Sequence, residues 1–386
     1  MSEFRTIREL CSVVVDCPHS TPKWTANGKI VIRNKNIKHG KIDFSSPSYT
    51  DDEHFAQRIK RAKPQPGDII ITREAPIGDV GMIPENTECC LGQRMVLLRA
   101  NQSVCDNFYL LYSLQSLYVQ HQISWSEGTG TTVSNLRIPH LEQIQIPYLP
   151  LEQQAKISSV LRALEEKIEN NRRLNDNLQQ QAAALFSSLY DRTNTEVRFT
   201  DLIQILGGGT PKTGENTYWN GNIAFFTPKD VGTPYTLITE KTITEEGLSH
   251  CNSRLYPVNT VFVTARGTVG KVGMSGVPMA MNQSCYALVG KETHQLLVYF
   301  YTLKAVDRLK HKASGAVFDA ITTRDFESEQ IMKLSDDDAK AFLCIAEPMF
   351  QKVLNNCIEN LRLSTLRDSL LPKLMSGDVD VSTVQL

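Results

Sequence analysis

The chain has 386 residues and a mass of 43.3 kDa, a length that predicts two or three domains with more than one hydrophobic core. Its formal net charge is −1 and its isoelectric point is about 6.7, so any surface for a polyanionic partner must come from local clustering of charge. No run of 18 apolar residues occurs, Met1–Arg5 begins no apolar leader, and the nine cysteines include no C-x-x-C pair. These features argue against a membrane-spanning helix and against the usual zinc spacings, and we expect a cytoplasmic protein with reduced thiols that contacts no membrane and holds no metal.

In the first half of the chain, short runs rich in β-branched residues predict strands at Ile69–Thr72 and Met95–Leu98. Helical spacing of apolar residues predicts a helix over Leu110–Gln120. The segment Leu151–Arg192 contains neither glycine nor proline, and its apolar or small residues recur at alternating steps of four and three. That spacing is typical of a coiled-coil seam, in a helix about 60 Å long at 1.5 Å per residue. The seam positions are Ile157, Leu161, Leu164, Ile168, Asn171, Asn175, Leu178, Ala182, Leu185 and Leu189.

The two asparagines give this seam a polar centre, and buried asparagines commonly fix the register and the partner of a coiled coil. In the second half of the chain, a strand is predicted at Thr260–Thr264 and a helix at Leu296–Lys312. A second long helix is predicted from Asp336 to Leu374, with a less regular seam. Pro348 is expected to kink its first turns, and Pro372 to end it or come close to its end.

The sequence contains an internal duplication. Thr72, Gly78, Gly81 and Met82 recur at identical spacing 192 residues later. The recurring segments, all in the same order and at offsets of 187 to 193, are Thr21–Lys23 with Thr210–Lys212, Gly28–Ile30 with Gly221–Ile223, Thr72–Met82 with Thr264–Met274, Glu142–Ile144 with Glu329–Ile331, and Ile168–Asn170 with Ile358–Asn360. Several collinear matches indicate two copies of one unit of about 190 residues.

The duplication predicts an α+β fold. Two repeated mixed α/β domains would be separated by two long antiparallel coiled-coil helices, with approximate two-fold symmetry. The expected bounds are 1–149 and 193–335 for the domains, 150–192 for the central helix, and 336–386 for the distal helix and tail. The alternative, that the helices are ordinary amphipathic elements of one large domain, is disfavoured because the repeat places each helix after its own domain.

Several motifs in combination resemble the specificity subunit of type I restriction–modification enzymes, across essentially the whole chain. The resemblance is carried by Ile146–Gln154 (IPYLPLEQQ), by Leu164–Leu174 (LEEKIENNRRL), by Leu366–Gly377 (LRDSLLPKLMSG) and by the turn Gly128–Asn135 (GTGTTVSN). The second copy departs from the first of these patterns, since Met332–Asp338 replaces the proline-rich stretch.

The resemblance implies that each domain reads one half of a split DNA target in double-stranded DNA. It further implies that the helices set the unread spacer and dock two adenine-methyltransferase (M) subunits, and that restriction (R) subunits complete the complex. The chain itself would need no cofactor and perform no chemistry. The sequence supports this independently, because it has no Pro-Pro pair for a methyltransferase turn, and Gly267–Lys271 lacks the outer residues of a phosphate loop. Asp68 and Glu74 could suggest a nuclease pair, but the second copy has Arg266 at the position of Glu74.

The clearest local sign of DNA contact is the segment Cys17–Ile42, which contains six basic residues and no acidic one. Unopposed lysines and arginines would neutralise phosphates, although a solvated basic face is the simpler alternative. Arg73 and Arg266 lie in the repeated glycine-flanked loops, where arginine could read guanine and a nearby glutamine adenine, with a structural or phosphate-binding role as the alternative. The candidate DNA-binding residues are Lys23, Lys29, Arg33, Lys35, Lys38, Arg73, Gln93, Lys212, Lys229, Arg266, Lys271 and Gln283.

The same reasoning predicts that seam residues not used by the helix pair, with apolar residues near the helix ends, bind the methyltransferase subunits. The candidates are Leu161, Leu164, Leu178, Leu185, Phe350 and Leu354. Two other classes of function stay open from the residues alone. A coiled-coil adaptor protein would show no salt-sensitive DNA binding, and a self-sufficient nuclease would need a catalytic carboxylate–lysine set that the sequence does not offer.

Overall fold

The chain forms two compact units in a computed structural model that describes residues 3–38, 40–125, 135–312, 320–379 and 381. Unit 1 comprises Met1–Glu166 and Leu363–Leu386, and unit 2 comprises Lys167–Arg362. Both units combine helices and strands, as predicted. The Gly128–Asn135 turn lies outside the described residues, apart from Asn135.

Unit 1 is built around an antiparallel four-stranded sheet with the strand order β2-β10-β7-β8. A three-stranded sheet, β6-β3-β9, lies in the same unit, and β3 pairs in parallel with β9. The elements of this part of the chain are β1 (Glu3–Thr6), α1 (Ile7–Leu10), β2 (Cys11–Asp16), β3 (Lys29–Ile32), β4 (Ile37–Lys38), β5 (Lys41–Ile42), β6 (Ser48–Thr50), α2 (Asp52–Arg58), β7 (Ile69–Arg73), β8 (Ile77–Met82), β9 (Cys89–Leu91), β10 (Met95–Ala100), α3 (Asn107–Gln115), α4 (Leu117–Trp125), α5 (Ile138–Gln143), β11 (Gln145–Tyr148) and α6 (Leu151–Tyr190).

The central sheet of unit 1 is buried on both faces, which explains why β7 is apolar along most of its length instead of alternating. Ile69 and Ile71 face the core that contains α3 and α4, whereas Ile70 faces a second core shared with β3 and β9. Successive side chains of a strand point to opposite faces, so one run of isoleucines supplies both cores.

Unit 2 repeats this arrangement. Its larger sheet has the order β13-β20-β17-β18-β15, and its smaller sheet is β16-β14-β19, with β14 parallel to β19. The elements are β12 (Glu196–Arg198), α7 (Phe199–Leu202), β13 (Ile203–Gly207), β14 (Trp219–Phe226), β15 (Tyr235–Thr236), β16 (Lys241–Ile243), α8 (Glu245–Ser249), β17 (Val261–Thr264), β18 (Val272–Ser275), β19 (Met279–Met281), β20 (Cys285–Gly290), α9 (Gln295–Lys312), α10 (Thr323–Glu327), β21 (Gln330–Met332) and α11 (Asp336–Ser376).

The two units share one internal topology. The order β2-β10-β7-β8 in unit 1 matches β13-β20-β17-β18 in unit 2, and each small sheet contains one parallel pair at the matching place. Strand β17 also feeds two cores, with Val261 and Val263 in one and Phe262 in the other. The duplication inferred from the residues is therefore a duplication of fold.

Helices α6 and α11 have 40 and 41 residues, and each contributes to both units. Within unit 1, Arg367 of α11 contacts Glu165 of α6 at 3.5 Å, and the Tyr112 hydroxyl donates to the same carboxylate at 3.1 Å. Helix α11 continues through Pro348 and ends at Ser376, four residues beyond Pro372, so neither proline ends it.

Within unit 2, the polar centre of the predicted seam is a layer of asparagines between the helices. The Asn356 amide donates to the Asn175 side-chain oxygen at 2.7 Å, and Asn171 donates to Glu359 and to Asn360 at 2.8 and 2.9 Å. Partner numbers fall in α11 as they rise in α6, so the two helices run antiparallel here. Asn171, Asn175 and Asn356 are at most 6% exposed, so their amide groups need these hydrogen-bond partners within the helix pair.

Candidate nucleic-acid interface

The basic segment Cys17–Ile42 is less positive in the folded protein than along the chain. The Lys23 ammonium lies 3.3 Å from Asp51, that of Lys29 lies 2.5 Å from Glu88, and that of Lys38 lies 3.9 Å from Asp43. The prediction of six unopposed charges is therefore wrong for these three lysines. The acidic partners come from outside the segment, where the sequence alone could not place them.

In the Lys29–Glu88 pair, hydrogen bonds favour the charged forms of both groups. Glu88 accepts hydrogen bonds from both Lys29 and Lys63, and these bonds lower the pKa of its carboxyl group. The same contact raises the pKa of Lys29. Of the remaining candidates, Lys35 is exposed and donates to the Ser46 hydroxyl at 3.3 Å, and the Arg33 guanidinium stacks 4.9 Å above the ring of Trp24.

Arg73 lies inside unit 1 rather than on a free loop. Its side chain is 11% exposed and donates to the Asp16 carboxylate at 2.8 Å, to the Leu136 carbonyl at 2.8 Å and to the Asn135 side-chain oxygen at 3.2 Å. All three contacts tie segments that are distant in sequence. These contacts favour a structural role for Arg73, and base reading by this side chain would require them to break.

A second arginine, Arg94, lies on the surface next to Arg73 and is not among the candidates predicted from the sequence. The Nε of Arg94 lies 3.1 Å from one carboxylate oxygen of Glu74, whose other oxygen accepts from the Asn135 amide at 2.8 Å. The Arg94 side chain is 57% exposed, whereas that of Glu74 is 22% exposed. One signal along the chain could have indicated it, because Arg94 directly follows the candidate Gln93.

The loop that carries Arg94 is fixed by a buried arginine. Arg58 is 6% exposed and has no carboxylate partner among the described residues. Its guanidinium instead donates to the carbonyls of Leu91 and Gly92, at 2.7 and 2.9 Å, and to those of Ser20 and Pro18, at 3.0 and 3.2 Å. Burial lowers the pKa of Arg58. One side chain thus holds together the two loops that carry Lys23 and Gln93.

Gln93 strengthens the same connection, because its side-chain amide donates to the carbonyl of His19. In unit 2, Gln283 is exposed, and its side-chain oxygen accepts from the Thr210 hydroxyl. Both glutamines therefore have intramolecular partners on the loop that precedes the candidate lysine. Each keeps one end of its amide for another partner.

In unit 2 the remaining candidates are exposed. Lys229 pairs with Glu240 at 3.4 Å. Arg266, Lys212 and Lys271 are exposed, and within the described ranges no carboxylate lies within ion-pair distance of them. An isolated antiparallel bridge pairs the backbone of Arg266 with that of Ala320.

The backbone brings three segments together at the same point of each unit. In unit 1, the Arg73 N–H donates to the Arg94 carbonyl at 2.8 Å, and the Leu136 N–H donates to the Arg73 carbonyl at 3.0 Å. In unit 2, the Ala265 N–H donates to the Ser284 carbonyl at 2.8 Å, and the Ile321 N–H donates to the Ala265 carbonyl at 3.0 Å. We call these places the junctions: residues 73, 74, 94, 135 and 136 in unit 1, and residues 265, 266, 284, 320 and 321 in unit 2.

The junctions also give the residue correspondence between the copies. Arg73 matches Ala265, Glu74 matches Arg266 and Arg94 matches Ser284, so Arg73 and Arg266 are not equivalent. Strand pairing also matches Asp16 with Gly207. In unit 1, Asp16 pairs with Val96, which pairs with Ile71. In unit 2, Gly207 pairs with Tyr286, which pairs with Val263, the residue that corresponds to Ile71. Both members of the Asp16–Arg73 pair are therefore replaced by small residues in unit 2, as expected for two side chains that serve each other.

Three of the six residues proposed to bind partner proteins are buried within the chain's own cores. Leu161 is fully buried in unit 1, and Phe350 and Leu354 are 3% and 6% exposed in unit 2. The helix seam is also the face that packs on the domains, so partner binding through these three side chains stays a prediction that their burial disfavours. Leu164, Leu178 and Leu185 are half-buried, and the latter two pack against the unit 2 core.

The apolar residues that the long helices do expose are different ones, and the seam pattern did not indicate them. They are Leu151, Leu174, Ile345 and Leu366, each 39 to 48% exposed.

The acidic residues considered as a nuclease pair have separate structural partners. Asp68 is 2% exposed and accepts two hydrogen bonds from Arg99, both at 2.8 Å, whereas Glu74 contacts Arg94 and Asn135. Among the described residues, no group of three or more His, Cys, Asp or Glu side chains is arranged to hold a metal ion. Over the same residues, no helix is both long and apolar enough to cross a membrane.

Comparison with known proteins decides the family. The family model described as the type I restriction modification DNA specificity domain matches twice, over residues 3–180 and 192–333. The chain belongs to this family. The resemblance inferred from the motifs is thereby confirmed, as is the fold class of two repeated mixed α/β domains with long helices. Members of the family are recognition subunits without catalytic activity, and they assemble with DNA and with other subunits.

The family's relatives include the MjaIX type I restriction enzyme specificity subunit of Methanocaldococcus jannaschii, which is 23% identical over 342 residues, 82% of this chain and 78% of that protein. The HindI specificity subunit of Haemophilus influenzae is 27% identical over 186 residues, 47% of this chain and 40% of that protein. A crystal structure of the type I restriction-modification S subunit from M. genitalium shares the fold, with a TM-score of 0.62 and 18% identity over 97% of this chain and 96% of that one.

Proposed function

We propose that this chain is the sequence-specificity subunit of a type I restriction–modification complex, and that each unit reads one half of a bipartite target in double-stranded DNA. The observation that carries the proposal is duplication of the backbone with divergence at the junctions. The same three segments meet in both units, but the side chains they present differ. Reading two unlike half-sites requires one scaffold with two different sets of surface groups.

The domain bounds 1–149, 150–192, 193–335 and 336–386 belong to this proposal. We assign the reading role to the first and third segments and the spacer role to the helical second and fourth. A helix of 40 residues is about 60 Å long, which suits a spacer and is longer than a single domain needs. Since its target would be chromosomal DNA, the complex would act in the cytoplasm.

We further propose that two adenine-methyltransferase (M) subunits dock on the long helices and that restriction (R) subunits join the complex. The exposed apolar residues of α6 and α11 support such docking better than the buried seam residues do. Leu174 and Ile345 lie on the unit 2 portions of these helices, and Leu151 and Leu366 lie on the unit 1 portions. Apolar side chains of this size on otherwise polar helices are common anchors of protein interfaces.

Phosphate contacts are assigned to exposed basic residues that keep their charge available. Lys35 and Arg33 in unit 1, and Lys212 and Lys271 in unit 2, meet this condition within the described residues. Lys23, Lys29, Lys38 and Lys229 would have to exchange a carboxylate for a phosphate, which reduces their contribution to affinity.

The test is a genome-wide map of methylated adenines in the native host, with the gene present and deleted. The proposal predicts a bipartite motif that disappears on deletion and returns when the gene is supplied on a plasmid. A methylation pattern unchanged by deletion would refute it, and would favour a coiled-coil adaptor without DNA specificity. Purified chain with its partner subunits should also bind motif DNA with an affinity that falls steeply as salt rises.

A further inference from the structure

Glu74 and Arg94 form an ion pair at the surface of the unit 1 junction. The carboxylate contacts Arg94 at Nε, and among the described residues neither terminal nitrogen of the guanidinium has a hydrogen-bond partner. Glu74 is itself held by Asn135, and the backbone carbonyl of Glu74 accepts a hydrogen bond from the Asn34 amide at 2.6 Å. Glu74 is therefore held at its backbone and at one carboxylate oxygen, and its other carboxylate oxygen lies beside Arg94.

The backbone at Arg94 is fixed as well, in a conformation that a non-glycine residue rarely adopts. Its φ is +66°, in the left-handed region. Its carbonyl is bonded to the Arg73 N–H, and the preceding Leu91 and Gly92 carbonyls are bonded to the buried Arg58. Non-glycine residues in this region cluster at functional sites, where the surroundings hold them in place.

Charge distinguishes a base contact from a phosphate contact at this position. A carboxylate 3.1 Å from Arg94 neutralises its charge locally and repels a phosphate. The O6 and N7 atoms of guanine are uncharged acceptors, spaced to accept two parallel hydrogen bonds from a guanidinium fork. A neutralised, oriented arginine therefore suits guanine better than it suits the DNA backbone.

The unit 2 junction also carries an exposed arginine, but on a different one of its three segments. Arg266 occupies the position of Glu74, and Ser284 occupies that of Arg94. The Arg266 side chain is exposed, and the neighbouring Gly267 has a φ of +82° with almost no heavy atom near its missing Cβ. Each copy thus places one exposed arginine at its junction, on Arg94's segment in unit 1 and on Arg266's segment in unit 2.

We propose that one arginine at each junction reads a guanine: Arg94 in the half-site of unit 1, oriented by Glu74, and Arg266 in the half-site of unit 2. This inference rests on the proposed function and names the residues and the base class through which it acts. Because Arg94 and Arg266 lie on different segments of matching junctions, the two copies present their arginines from different places on similar backbones. This difference explains how one duplicated fold reads two unlike half-sites.

The experiment uses the full chain, expressed with its methyltransferase subunits in a host that lacks adenine methylation, and maps modified adenines. The variants in unit 1 are Arg94→Gly, Arg94→Lys and Glu74→Gln, and those in unit 2 are Arg266→Ala and Arg266→Lys. Glycine tolerates a positive φ, so Arg94→Gly removes the side chain without straining the loop. The matched controls are Arg61→Ala and Arg254→Ala, which remove exposed arginines elsewhere on the same units.

We expect the Arg94 variants to lose preference for one G·C pair in one half-site, by about 5- to 150-fold, while the other half-site stays unchanged. The Arg266 variants should do the same in the opposite half-site. Lysine should not rescue either position, because it lacks the fork, and Glu74→Gln should cause a smaller loss at the Arg94 position.

Three other outcomes are decisive. If the Arg94 and Arg266 variants lowered methylation evenly and left the motif unchanged, both arginines would be phosphate contacts and not base-reading residues. Full rescue by lysine, with the motif and its preference intact, would overturn the two-bond contact of a guanidinium fork with guanine. If the wild-type chain with its partners gave no bipartite motif, the proposed function itself would fail.

Discussion

Replacing Arg73 by methionine tests whether this buried arginine supports unit 1 or reads DNA. The substitution keeps an unbranched apolar stem but removes the three contacts to Asp16, Leu136 and Asn135. A hydrogen bond to a charged group is worth about 1.5–3 kcal/mol and a neutral one about 1 kcal/mol. His19 lies 3.0 Å from the same Asp16 oxygen and would replace part of the lost interaction. We expect Arg73→Met to lower the unfolding free energy of unit 1 by about 3 kcal/mol.

The double variant Asp16→Asn/Arg73→Met separates the ion pair from simple packing. With the charge on Asp16 also removed, no uncompensated carboxylate is left in the interior, so the double variant should lose only about 1–2 kcal/mol. The two substitutions should therefore be non-additive, as unit 2 suggests by carrying Gly207 and Ala265 at the matching positions.

The assay is denaturant unfolding followed by tryptophan fluorescence. Trp24 and Trp125 lie in unit 1, and Trp219 lies in unit 2, so a Trp219→Phe background makes the signal report unit 1 alone. Separate reporting is needed because a chain with two units need not unfold in one step. Arg61→Met is the control, since Arg61 is exposed and makes one long bond of 3.5 Å to the Asp16 carbonyl. An Arg73→Met variant of unchanged stability that relaxed one position of the methylation motif would refute the structural assignment.

Three further predictions concern the long helices. Asn175→Leu should lower the free energy of unfolding by about 1–3 kcal/mol, because it leaves the buried Asn356 amide without its 2.7 Å hydrogen bond. The double variant Asn175→Leu/Asn356→Leu should be neutral or stabilising, and an equal loss of stability in both variants, measured by denaturant unfolding, would contradict this. Inserting four residues directly after Asn175 in α6 and directly before Val353 in α11 adds about 6 Å and about 40°. The rotation matches one base pair of B-DNA, which advances ~3.4 Å and turns about 36°, and the rise exceeds it by about 3 Å. The unread spacer of the methylation motif should therefore grow by one pair with both half-sites intact, and an unchanged spacer would contradict the ruler role. Leu174→Glu should reduce co-purification of methyltransferase subunits without lowering the melting temperature, because Leu174 is exposed. Leu161→Glu should unfold unit 1, because Leu161 is buried. If the Leu174→Glu variant retained the subunits, the surface around Leu174 would be excluded as their docking site.

The large features of this protein follow from the sequence by itself. Collinear repeats revealed two copies of one fold, and the steps of four and three from Ile157 to Leu189 predicted a helix that spans Leu151–Tyr190. The asparagines of that seam were correctly placed at a buried polar centre. These features are visible because duplication and helical periodicity are written in the spacing of residues along the chain.

Only the tertiary structure decided which side chains are free to act. The lysines of the basic segment pair with Asp51 and Glu88, Arg73 points inward to Asp16, and the exposed arginine at the unit 1 junction is Arg94. Each of these facts depends on which residues strand pairing brings together across the fold, and no local pattern encodes it. The seam residue Leu161 illustrates the same limit, because heptad spacing shows that a side chain is apolar and on one face, but not whether that face meets a partner or the chain's own core.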